Sequence, residues 1–113
     1  MSMDISVWST GPFELPNQLP TPRQWRLYAS EWTLDGVGWH IQVLPAEDDP
    51  STRVLQRLPG ASHVAYVTLE PIGADNIGYD LLEKVVRGLA QATSGVWVDP
   101  NNEPYFHDEG DFR

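Results

Sequence analysis

The chain has no cysteine, which removes disulfide frameworks, thiolate metal sites and cysteine nucleophiles together. Nothing in the sequence marks an oxidising compartment, so the cytoplasm is the expected location. No stretch approaches the roughly 18 apolar residues that a membrane-spanning helix needs. The segment Met1 to Thr10 likewise lacks a basic start followed by an apolar run, and no membrane association is expected. Basic residues are scarce: seven Lys and Arg stand against sixteen Asp and Glu, for a net charge of −9. Because each phosphate contact normally needs a cation, nucleic acid and anionic membrane surfaces are disfavoured, and a basic protein partner is favoured. Repeats and low-complexity tracts are absent as well.

What is present is enough to fold. A length of 113 residues suits one core, and 41% hydrophobic residues with five tryptophans exceed what a disordered acidic chain carries. A single domain over 1–113 is expected. The charge is uneven: Glu47-Asp48-Asp49 contributes −3, and Asp99 to Arg113, with five acids and one arginine, contributes −4. Such runs either keep a small protein soluble or steer a basic partner to one surface.

Along the chain, Asp4 to Ser9 reads as a short strand, and four prolines within residues 11–22 make that segment a loop, with Phe13 and Leu15 as apolar anchors. Trp25 to Leu34 reads as one strand and Gly38 to Leu44 as the next. The Asp35-Gly36 pair between them predicts a type I′ hairpin turn, which needs positive φ at both central residues. Asp49 and Pro50 suit the cap and first position of a short helix carrying Val54, Leu55 and Leu58. Ser62 to Glu70 is apolar on both sides, as an interior strand would be.

Ile77, Leu81, Leu82, Val85, Val86 and Leu89 recur at three- and four-residue spacing and define the main helix, with Asp75 as N-cap and Gly95 as the C′ glycine. Val96 to Val98 forms a last short strand before an acidic tail over 107–113. The expected class is α+β: a single, mostly antiparallel sheet with one long and one short helix on one face, of ferredoxin-like or split βαβ type.

No residue set supports catalysis. His40, His63 and His107 show no helical ligand spacing, so neither a metal nor any other cofactor is expected. No nucleophile elbow or phosphate-cradling glycine loop occurs. The paired carboxylates Asp48/Asp49 and Asp108/Glu109 lie in polar stretches with nothing to raise one pKa. Of Trp8, Trp25, Trp32, Trp39 and Trp97 most belong to the core. Trp25 and Trp32, read on one strand, have opposite parity, so one of the two is a candidate surface anchor, and Trp32 is the one taken among the partner-binding residues.

The acidic layout, the helix bearing Leu81, Leu82 and Ala90, and the run Ser94-Gly95-Val96-Trp97-Val98-Asp99-Pro100 resemble small immunity proteins. Proteins of that kind are encoded beside bacterial polymorphic or type VI secreted toxins, and the likeness covers mainly residues 39–105. It implies an inhibitor that binds a cognate toxin, with no chemistry of its own. The partner-binding residues would then be Glu47, Asp48, Asp49, Trp32, Asp99, Glu103, Asp108 and Glu109. The competing expectation is a small-molecule-binding or regulatory domain that uses the sheet face left bare by the helices, lined by Tyr28, Trp32, His40 and Tyr66.

Overall fold

The computed structural model describes residues 3–70, 76–98 and 109–111. Its strands are β1 (Met3–Ser9), β2 (Arg26–Tyr28), β3 (Glu31–Asp35), β4 (His40–Glu47), β5 (His63–Glu70), β6 (Val96–Val98) and β7 (Glu109–Asp111). They form one sheet in the order β2-β3-β4-β5-β1-β6-β7, every pairing antiparallel. With the helices α1 (Thr52–Arg57) and α2 (Asn76–Thr93), the architecture is the expected α+β class. Since β5 and β6 both pair antiparallel with β1, they run parallel to each other, and β5-α2-β6 is a split βαβ unit with β1 in the gap. The acidic tail departs from expectation in part, because Glu109–Asp111 pairs with β6 and extends the sheet.

The sheet's two faces are built differently. Odd-numbered side chains of β1, β4, β5 and β6, among them Ile5, Val7, Ile41, Val43, Ala65, Val67, Leu69 and Trp97, pack with Leu82, Val85, Val86, Leu89 and Ala90 of α2. At about 100° per residue these helix positions make one stripe. Gly78, buried, takes the stripe's place in the first turn, while Ile77 lies a helical step away and is 69% exposed. Val54 and Leu58 of α1 pack instead with Trp8, Val64 and Val96, whose side chains alternate to the opposite side. The two helices therefore lie on opposite faces, not on one, because α1 follows the apolar residues that β5 and β6 carry on their second side.

Three local expectations are corrected. Trp25 to Leu34 is not one strand: a single 3-10 turn (Pro22–Gln24) precedes β2, and Ala29, at φ 52°, reverses the chain into β3. The hairpin between β3 and β4 closes with the Gly36 N–H donating to the Trp39 carbonyl at 2.9 Å, and the positive φ falls on Gly38, not on Asp35 or Gly36. Gly36 is required for space, since a Cβ there would lie 2.2 Å from the Trp39 ring. The short helix is capped by Ser51, whose hydroxyl accepts from the Val54 N–H at 3.3 Å, two residues after the expected Asp49.

The loop over 11–22 is tied down as its apolar residues suggest. Phe13 and Leu15 pack on the core, Leu19 is buried, and the Trp25 indole N–H donates to the Pro20 carbonyl at 2.8 Å.

The end of α2 fixes its docking onto β1. Ser94, at φ 53°, takes the left-handed C′ position, and the Gly95 N–H donates to the Ala90 carbonyl at 2.8 Å to close a Schellman motif. Gly95 is thus one residue beyond the expected position, and its lack of a side chain serves contact: a Cβ would sit 2.2 Å from the Trp8 carbonyl oxygen. Ser94→Gly is expected to raise stability by roughly 0.5–1 kcal/mol by relieving the left-handed conformation. Gly95→Ala is expected to lower it by about 1–3 kcal/mol through overpacking. Equilibrium denaturation of both variants checks the assignment.

Candidate partner-binding surface

Strand alternation and the pairing register lay out the side that α2 leaves bare. Ala46, Val64, Trp8 and Val96 form a row across four strands and lie beneath α1. The next row, Leu44, Tyr66, Ser6 and Val98, meets solvent along the foot of α1. Beyond it runs a polar row, Arg26, Thr33, Gln42, Thr68 and Asp4, and then Asp35, His40 and Glu70. Within this surface Arg26 pairs with Asp35 and its guanidinium lies 5.8 Å from the Tyr28 ring centroid. His40 Nε2 lies 3.4 Å from Glu70, and the Thr68 hydroxyl donates to Asp4 at 2.9 Å.

The acidic loop begins at the last residue of β4. Glu47, Asp48 and Asp49 are all exposed, but their contacts diverge. Glu47 has the parity of the α2 side and lies 3.4 Å from His63 Nε2, whereas Asp48 turns to the bare side and accepts from the Tyr66 hydroxyl. Among the described residues, the hydrogen-bond and ion-pair partners of this loop are His63 and Tyr66, with no guanidinium or ammonium among them. The helix α1 brings Arg53 and Arg57 to the same end of the sheet, so the charge there is mixed on the α1 side and negative at the β4 terminus.

The remaining expected site residues fare variously. Trp32 is half-buried and packed on the core from the α2 side, so it is not a free-standing anchor. The parity argument fails because the turn at Ala29-Ser30 separates it from Trp25, which is buried before β2 begins. Asp99, Glu103 and Asp108 lie outside the described residues, as does His107, and Glu109 is placed only by its backbone pairing with Val98. Of the residues expected to line a ligand site, Tyr28, His40 and Tyr66 do share the bare side, and Trp32 does not. The concavity there, bounded by Asp4, Ile5, Ser6, Tyr66 and Thr68, is shallow and open to solvent.

His40 and His63 sit at opposite ends of the β4–β5 pair and cannot converge on one ion. Among the described residues no group of three His, Asp or Glu could hold a metal, and no helix is long and apolar enough to cross a membrane. No protein-family model, curated protein or solved structure matches the chain.

Tyr66, like Tyr28, carries exposed aromatic surface on this side and is expected from the sequence only in the competing ligand site. Its signal was weak: on a strand read as interior, nothing distinguishes an exposed tyrosine from a buried one. Its phenol is pushed up to about 12, chiefly by donating its proton to Asp48, with burial and the charge of Asp48 adding to the effect. A raised phenol favours the folded state below its ordinary pKa of 10.0, and that contribution is lost as pH rises through the folded value of about 12. An alkaline difference titration of the native chain against Tyr66→Phe is expected to place this phenol near 12, and Asp48→Asn to bring it back toward 10.

Proposed function

We propose that the chain is a protein-binding inhibitor, an immunity protein that neutralises a cognate bacterial toxin by laying the acidic end of its sheet over a basic surface. The observation that carries this reading is the Glu47-Asp48-Asp49 loop. Three consecutive exposed carboxylates stand at the mouth of an open sheet face, and one of them is held in place by Tyr66. A field of this kind accelerates encounter with a cationic partner, while apolar contacts made after docking supply most of the affinity. The resemblance of the helix-to-strand run Ser94 to Pro100 to immunity proteins points to the same class. Nothing in this reading requires catalysis, a cofactor or nucleic acid, and a cytoplasmic site of action would suit an inhibitor of an internalised or self-produced toxin.

The ligand-binding alternative gains less support. Its residues are split between the two faces, and the concavity beside Tyr66 is open where a ligand site is normally enclosed.

Co-expression with the product of an adjacent toxin gene is expected to rescue growth. In stopped-flow mixing with the purified toxin, Glu47→Gln/Asp48→Asn/Asp49→Asn is expected to slow association about tenfold at low ionic strength and much less at high salt. An association rate that ignores both the substitutions and the salt would remove the steering role.

A further inference from the structure

We propose that β2, the strand at one end of the sheet, pairs with β2 of a second copy of this chain, antiparallel and about a two-fold axis through Leu27. This edge is separate from the Glu47 loop and pairs whether or not the chain is an inhibitor. The sheet order ends at β2, which is bonded to β3 alone. Tyr28 and Glu31 flank the two-residue turn at Ala29-Ser30, so this pair and the pair Arg26–Thr33 exchange the hydrogen bonds with β3, and the Leu27 N–H and C=O point away from the sheet. All three residues of β2 are exposed, Leu27 at 52% and Tyr28 at 56%, and the strand has neither the proline nor the lysine that commonly guards an edge. It is also held in place. Trp25, just before it, is buried with its indole N–H on the Pro20 carbonyl, and the left-handed residues Thr21 (φ 45°) and Ala29 (φ 52°) bracket it. Non-glycine residues keep such a backbone only where their surroundings impose it, so the edge needs little ordering before it pairs.

The occupant is a second copy because the edge is its own complement. Antiparallel pairing centred on Leu27 lets the two Leu27 residues exchange N–H to carbonyl bonds in both directions, and it sets each Arg26 opposite the second copy's Tyr28. On the α2 side Leu27 lies beside the half-buried Trp32, so the row Val43, Trp32, Leu27 runs on into the same row of the second copy and takes out of water the apolar surface that one copy leaves exposed. On the bare side each guanidinium, already 5.8 Å from its own Tyr28 ring centroid, gains a second ring. Charge does not oppose the approach: with His40 neutral, Arg23 and Arg26 balance Glu31 and Asp35 within residues 15–46, so the whole −9 lies elsewhere in the chain. A strand of three residues buries less than the roughly 800 Å² per partner of a stable interface, so association is reversible and half complete at roughly 100 µM. Two-fold closure uses this edge up and stops growth there.

The test is sedimentation velocity of the intact chain from about 5 to about 500 µM, with amide hydrogen exchange read by NMR at both ends of that range. The expected result is a monomer at the low end, a dimer predominating at the high end, and a Leu27 amide whose exchange slows at least about threefold with concentration while those of Arg26 and Tyr28 are protected throughout. Leu27→Lys is expected to weaken dimerisation at least about tenfold and Tyr28→Ala about threefold, while Ile77→Ser, which removes an exposed apolar residue outside the edge, leaves it within about twofold. A chain that is monomeric throughout, a dimer that Leu27→Lys leaves intact, or a dimer in which the Leu27 amide exchanges as fast as in the monomer would each overturn the proposal. So would protection of Leu27 that arises only when the product of an adjacent toxin gene is added to a monomeric chain, which would give the edge to a strand of the toxin.

Discussion

Burial of the α2 stripe against β1, β4, β5 and β6 decides which side of the sheet meets solvent. Leu82, Val85, Val86 and Leu89 are fully buried on Val7, Val43, Val67 and their neighbours. Each such side chain is worth about 1.5–3 kcal/mol when removed from water, so the helix cannot exchange faces without forfeiting most of the core. Once α2 is seated, strand alternation leaves Asp4, Ser6, Tyr66, Thr68 and Glu70 no choice but the other side. The short helix α1 then has only the apolar remainder there, Trp8, Val64 and Val96, to cover. The size of α1 sets the extent of the surface that stays open.

Much of this was legible in the residues. The period of α2, the alternation of β4 and β5, and the hairpin signal at Asp35-Gly36 all follow from local rules that tertiary packing reinforced. The turn between β2 and β3 was not legible, because it has neither glycine, proline nor asparagine: Ala29 carries the positive φ that such residues normally supply. That missed turn had a functional cost. It made Trp32 look like the exposed member of a pair, when the reversal places Trp32 on the α2 side against the core.

The site was legible only in composition. The sequence shows that Glu47, Asp48 and Asp49 are adjacent, but adjacency along a chain leaving a strand says little about direction. The end of β4 sends Glu47 toward His63 on one side and Asp48 toward Tyr66 on the other. Pairings that join residues so far apart in sequence, such as Tyr66 with both Ser6 and Leu44, are set by register. Register depends on the whole sheet and cannot be read from any window of residues.

The position of β1 has a consequence for how the molecule comes into being. It comes first of the described strands in chain order, yet its hydrogen-bonding neighbours are β5 and β6, so Met3 meets Leu69 and Ser6 meets Val98. Until synthesis has passed residue 98, both edges of this strand cannot be satisfied, and its Ile5, Val7 and Trp8 stay available to other chains. Assembly of so non-local a sheet is intrinsically slow, and a nascent chain of this design has reason to depend on chaperones.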